Sequence, residues 1–219
     1  MRDPLRMYLV LRRGAIAQLA RGGELAGAAA VACLRSFGDD PEHRDAIAAW
    51  RERPGKVCLR ARTTAQWEQV LAEPHALAGE PDGESVAALP PRSRSQRGPL
   101  LERLQAMSTA LEPPPARPDE RDTSHVLSYV LNPDATMSSG KTLAQIAHAA
   151  VMADETGALD DWVAAGCPGR ILAPDAAGYA ALSARDDCVA RVIDAGLTEI
   201  AAGTVTVVAL APGPASALL

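Results

Sequence analysis

Lys141, Gln145 and His148 are the polar members of an otherwise small and apolar stretch, Thr142-Leu143-Ala144-Gln145-Ile146-Ala147-His148-Ala149-Ala150-Val151. Ser138, Ser139 and Gly140 precede it and supply turn and capping chemistry, so a helix is predicted to begin near Lys141. Positions i, i+4 and i+7 share one helix face, which puts the three polar residues in a single stripe. A second group is Asp194-Ala195-Gly196-Leu197-Thr198. It follows the strand-like run Cys188-Val189-Ala190-Arg191-Val192-Ile193, and the ends of strands are where open α/β sheets place their ligand sites. A lysine, a histidine and an aspartate are side chains that can activate water and stabilise an oxyanion.

Each feature also has an ordinary explanation. A histidine on an alanine-rich helix is usually packed or solvated. Asp194 can close an Asx-turn, with Thr198 capping a short helix. Lys141 at a helix N-terminus opposes the macrodipole, which argues for a role beyond solubility. Ser139-Gly140-Lys141-Thr142 resembles the end of a phosphate-binding P-loop, but Ala135 stands where that motif needs glycine, so nucleoside triphosphate binding is excluded.

The elements that must position these residues alternate strand and helix. In the second half they are a strand over 126–131, a helix from Gly140 to Ala153, a turn and strand over 168–172, a helix near 176–184 and a buried strand over 203–210. The first half repeats part of this order: a strand over 7–11, a helix from Gly23 to Leu34, a turn and strand over 54–59 and a helix near 64–72. Each half has a tryptophan before its turn, Trp50 and Trp162. Such alternation predicts a layered α/β/α domain with a small mixed or parallel sheet, present as two tandem related domains. Residues 1–110 form the first and residues 124–219 the second. Prolines 113, 114, 115 and 118 make residues 111–123 an extended linker. A proline- and glycine-rich stretch, 73–99, reads as loop.

Composition narrows the classes. Of the 219 residues, 47% are hydrophobic and only 3% aromatic, so the core must be aliphatic and small. No apolar run approaches the roughly 20 residues that span a bilayer. Met7-Tyr8-Leu9-Val10-Leu11 is too short for a signal peptide. Four cysteines without ligand or CxxC spacing predict free thiols, no structural zinc and a cytoplasmic setting. Residues 1–120 carry 17 basic and 16 acidic side chains, whereas residues 121–219 carry 5 and 11. An acidic half is a poor binder of phosphate on its own.

The second half resembles the type II peptidyl-tRNA hydrolases of archaea and eukaryotes. Met137, Gly140, Lys141, Leu143, Ala144, Gln145, Ala147, His148, Ala149 and Ala150 stand where that family's helix motif would put them. Asp194, Ala195, Gly196 and Thr198, then Gly203, Thr204, Thr206 and Val207, match its second motif. Asn132 and Ile193 depart from it, standing where the family tends to have basic residues. The resemblance implies hydrolysis of the ester joining a peptide to the 3′ ribose of tRNA, with no cofactor and no metal. It implies Lys141, His148, Asp194 and Thr198 as catalytic residues, and Gln145, Gly140 and Gly196 as substrate-binding ones. Asp194, with or without His148, would orient or deprotonate water, while Lys141 supplies positive charge. Peptidyl-tRNA is then the expected partner; a non-catalytic relative that binds a small ligand or a protein is the alternative.

The first half lacks these residues. Aligning Leu25-Ala26 with Leu143-Ala144 puts Gly23 at the lysine position, Gly27 at the glutamine and Ala30 at the histidine. Pro90-Pro91-Arg92-Ser93 falls at the aspartate segment. Because the family resembled forms homodimers, the first half is expected to replace a second subunit as an internal pseudo-dimer, a homodimer being the other arrangement. Its Arg92, Arg94 and Arg97 would restore positive charge for RNA.

Overall fold

The computed structural model describes residues 3–114, 125–197 and 199–213; Thr198 and most of the proline-rich linker lie outside the described residues. The first unit contains β1 (Leu5–Arg12), α1 (Leu19–Phe37), α2 (Arg44–Glu52), β2 (Gly55–Ala61), α3 (Thr64–Ala72), β3 (Ala76–Gly79), β4 (Ser85–Ser93), α4 (Gly98–Arg103) and β5 (Gln105–Ala106). A single 3-10 turn, Arg94–Gln96, joins β4 to α4. The second unit contains β6 (Leu127–Leu131), α5 (Ser139–Asp154), α6 (Asp160–Ala164), β7 (Gly169–Leu172), α7 (Ala176–Ser183), β8 (Cys188–Ile193) and β9 (Val205–Leu210).

Both sheets are mixed and small, as predicted. Their strand orders are β3-β4-β1-β2-β5 and β7-β6-β9-β8. β1 pairs in parallel with β2, and β6 with β7; the remaining pairs are antiparallel. Read outward from the parallel pair, β2-β1-β4-β3 and β7-β6-β9-β8 have the same order and the same directions.

The stretch 73–99 is not the loop its composition predicts. It holds β3 and β4, and Pro90 and Pro91 are buried inside β4. They sit where the β1–β4 register slips, between Tyr8↔Leu89 and Arg6↔Arg92. A bulge needs no ladder hydrogen bond from those positions, which is why proline is tolerated there. β3 covers β4 only from Ser85 to Ala88, so the prolines face no strand on that side.

The long helices α1 and α5 lie side by side between the two sheets. α1 packs on β3 and β4 of its own sheet and on β7 of the other; α5 packs on β8, β9 and, across the units, β2. One continuous core therefore takes Met7 and Leu9 from the first sheet and Leu127, Tyr129 and Ala209 from the second. The outer faces are closed by α3 and α4 through Trp67 and Leu101, and by α7 through Tyr179 and Leu182. The layers run α/β/α/β/α. Small residues make the central contact: a Cβ at Gly23 would come within 2.7 Å of Ile146 Cδ1, and one at Gly27 within 3.2 Å of Ala150 Cβ. Arg35–Asp154 (2.7 Å) and Arg51–Glu155 (3.1 Å) link the units at the rim.

The buried positions of the two helices coincide when Gly22 is set on Thr142 and Cys33 on Ala153. This register differs by two residues from the alignment made on sequence. Arg21, not Gly23, falls at Lys141; Leu25 falls at Gln145 and Ala28 at His148. Glu80 follows β3 as Asp194 follows β8, whereas the Pro90 segment lies inside β4. Glu80 N donates to Glu84 O (3.1 Å) after β3, as Asp194 N donates to Thr204 O (2.9 Å) after β8.

Candidate active site

Ser138 sets the start of α5. Its backbone is extended and its hydroxyl accepts from Lys141 N at 3.4 Å, an N-cap that ends the preceding loop. Lys141, Gln145 and His148 then share one face and look toward the end of β8. Lys141 Nζ lies 2.5 Å from Asp194 Oδ2, and Gln145 Nε2 donates to the same oxygen at 2.6 Å. The other carboxylate oxygen accepts from Gly196 N at 2.8 Å. Asp194 is 5% exposed and Gln145 7%. Burial works against the charged carboxylate. The hydrogen bond from Lys141, the Gly196 N–H, the lysine's charge and the Gln145 amide together outweigh it, and Asp194 is held below the usual carboxylate range.

The loop after Asp194 is built to hold this arrangement. Gly196 has φ +75°, and a Cβ there would lie 2.8 Å from Ala202 N, so only glycine fits. Glu199 reaches back to α5, accepting from Ser138 N at 2.8 Å and from Ser138 Oγ at 2.7 Å. One carboxylate thus ties the loop to the cap that places Lys141. Glu199 carries no signal in the sequence, because nothing in its spacing sets it apart from a surface glutamate.

His148 lines the same cleft, one turn beyond Gln145. Burial, and then the nearby charge of Lys56, lower its pKa to about 3, so it is neutral at ordinary pH. Lys56 comes from β2 of the first unit. Its Nζ lies 4.5 Å from the centre of the Trp50 ring and is buried without a hydrogen-bond partner among the described residues. Burial drives its pKa well below the usual lysine value, against a small opposing pull from Glu155. The Trp50 ring is itself fixed by Nε1 donating to Gly55 O at 2.7 Å.

The cleft has a volume of about 460 Å³. Lys141, Gln145, His148 and Asp194 form one wall; Arg6, Tyr8, Lys56, Arg94 and Arg97 of the first unit form the other. Ile193 (61% exposed) and Leu197 (86% exposed) give it an apolar rim. The stripe and the aspartate expected to meet do meet. Gly140 lies elsewhere: it packs on Met107 of the first unit, whose carbonyl would be 2.6 Å from an added Cβ. Gly196 acts through its N–H to Asp194. Thr198 lies outside the described residues. Arg92, read as a cation for RNA, is instead paired with Glu73 at 3.1 Å. Among the described residues no three His, Cys, Asp or Glu side chains gather as metal ligands would.

Residues 125–218 match the family model described as Peptidyl-tRNA hydrolase PTH2. The C-terminal unit belongs to this family. No curated protein and no solved structure matches the chain. The match takes in α5, β8 and the loop between β8 and β9, so the PTH2 unit holds the Lys141–Asp194 pair, Gln145 and His148. The first unit lies outside the match, yet it completes the cleft of the PTH2 unit with Lys56 and three arginines. A signal for Lys56 was present in the sequence. The chain has two lysines, and both line this cleft. No helix among the described residues is long and apolar enough to cross a membrane.

Proposed function

We propose that the cleft hydrolyses the ester of peptidyl-tRNA. The single observation that carries this is Asp194: a buried, ionised carboxylate that takes hydrogen bonds from Lys141, Gln145 and Gly196 at the edge of a cleft wide enough for an ester and its ribose. The PTH2 match to this unit supports the same substrate class.

In this reading water attacks the carbonyl carbon. The bond from the water oxygen to that carbon forms, the bond to the ribose oxygen breaks, and the proton released by water ends on the ribose oxygen. Negative charge grows on the carbonyl oxygen, and the Lys141 ammonium with the Gln145 amide, both held by Asp194, are the donors assigned to stabilise it. Asp194 keeps Lys141 charged and in place and orients the attacking water. His148, neutral and desolvated, is a hydrogen-bond partner for that water and not a cation. Thr198 is assigned a hydrogen bond to substrate or to Asp194, as the family resemblance implies.

We also infer that the first unit descends from a copy of the second and takes the place of a partner subunit. The shared strand order and the coincident helix burial support this. Arg21, in the place of Lys141, is paired with Glu24 (2.7 Å) and Glu84 (3.2 Å), and no histidine or glutamine follows it. That copy carries no chemistry of its own.

The test is release of free tRNA and of N-blocked amino acid from N-blocked aminoacyl-tRNA, with the full chain in stoichiometric excess at low salt. The expected result is release far above the buffer blank. Release equal to the blank would overturn the hydrolytic reading and leave a binding cleft.

A further inference from the structure

The PTH2 unit brings the reactive side chains, but it is the acidic half of the chain. The cations of the cleft come mostly from the other unit. Arg6 at the start of β1, Arg94 in the 3-10 turn and Arg97 at the start of α4 stand on the wall facing Lys141. Among the described residues no carboxylate lies within ion-pair distance of any of the three. Asp3 accepts from Ser95 N at 2.8 Å and feels the charge of Arg6 without pairing with it, and Asp3 and Glu102 line a neighbouring hollow together with Arg94 and Arg97.

Three buried polar atoms on residues that line the same space have no hydrogen-bond partner among the described residues. The Tyr8 hydroxyl, on a residue 1% exposed, has no hydrogen bond among the described residues, and Arg97 lies over its ring at 5.7 Å. Lys56 Nζ and Arg97 Nε are the others. Buried donors are rarely left unsatisfied, and three arginines, a lysine and a hydroxyl are all donors. What completes such a wall is an anion with several acceptor oxygens. Arg97 is anchored from behind, its Nη2 donating to Leu101 O at 2.7 Å.

We propose that the first unit holds the terminal phosphodiesters of the tRNA acceptor end, through Arg6, Arg94 and Arg97, and so delivers the ester to Lys141 and Asp194 of the second unit. This rests on the proposed function for its substrate, but its test does not require turnover. A working division follows: one unit for the phosphates, the other for the ester.

The experiment is binding of deacylated tRNA, read by fluorescence anisotropy across a salt series. The chains compared are wild type, the triple variant Arg6→Ala/Arg94→Ala/Arg97→Ala, the same triple with Lys, and a control triple, Arg13→Ala/Arg44→Ala/Arg62→Ala, of exposed arginines outside the cleft. Circular dichroism and melting temperature check that each chain is folded. The expected result is a loss of 10-fold or more in the cleft triple, with a shallower dependence of log K on log salt by about 2–3. The lysine triple recovers most of the binding, and the control binds as wild type. Binding by the cleft triple equal to wild type, or an equal loss in the control, overturns the proposal. Loss of binding in the cleft triple, with no hydrolysis by wild type, would retain this proposal and reject the hydrolase reading.

Discussion

Lys141 Nζ and Asp194 Oδ2 lie 2.5 Å apart, joining the first turn of α5 to the end of β8. The aspartate side chain is 4% exposed and the lysine 19%. A pair this buried is costly to break from one side. Removing Lys141 leaves a carboxylate with only an amide and a backbone N–H, so Lys141→Met is expected to lose roughly 3 kcal/mol of stability. The double variant Lys141→Met/Asp194→Asn should recover most of that. Urea titrations of the two chains check it; equal stability of Lys141→Met and wild type would show the pair to be incidental.

Asp194 and His148 on the PTH2 wall set the acid side of the pH profile. Asp194 is depressed below the carboxylate range and His148 to about 3. Neither changes charge between pH 5 and 8. The rate, followed as kcat/KM, should therefore show no limb near the usual histidine value of about 6.5. A limb at pH 6–7 that disappears in His148→Gln would contradict this assignment.

Stability follows the same groups with a definite sign. His148 binds its proton more weakly in the folded chain, so the unfolded chain takes up more protons between pH 6.5 and about 3. Stability from this residue is complete above pH 6.5 and declines as pH falls through that window. The loss at pH 5 is about 2 kcal/mol at most. His148→Gln should match or exceed wild type in melting temperature at pH 5 relative to pH 7.

Lys56 has the same sign for a different reason. Its ammonium is desolvated against Trp50, so protonation favours the unfolded chain up to the ordinary lysine range. Lys56→Met is expected to raise the melting temperature at pH 7, with the gain shrinking toward pH 10. Hydrolysis should fall nonetheless, because the cleft loses a donor beside His148. Stabilisation with full activity would make Lys56 a packing residue only.

The loop over 195–202 should be sensitive to small changes. Gly196→Ala forces a Cβ onto Ala202 at positive φ and displaces the N–H bonded to Asp194, costing about 1–3 kcal/mol. Glu199→Gln weakens the hold on Ser138 and is expected to cost about 1 kcal/mol while lowering kcat more than it raises KM. Denaturant midpoints and steady-state kinetics on both variants test this.

The residues of α5 and Asp194 were legible because helical spacing and a strand end each bring a small set of polar groups to one place. The α/β class was legible from alternation alone. What sequence could not show was the second wall of the cleft. Arg6, Lys56 and Arg97 are far apart in the chain and meet the site only because α5 crosses to β2, a contact set by Gly23 and Gly27 on the neighbouring helix. Strand β4 was missed because Pro90-Pro91 breaks the usual strand signal, and only the bulge opposite Met7 makes it tolerable. With that strand hidden, the sequence offered no counterpart for β8 and β9, and the burial patterns of the two helices coincide two residues away from the match of Leu25-Ala26 to Leu143-Ala144.

The most direct test is the single-turnover rate constant for peptidyl-tRNA at saturating enzyme and low salt, in wild type and Asp194→Asn. The account predicts rapid cleavage by wild type and a loss of about 100-fold or more in the variant, with its fold intact by circular dichroism. Cleavage by the variant at the wild-type rate, or none by wild type above the uncatalysed rate, would contradict it.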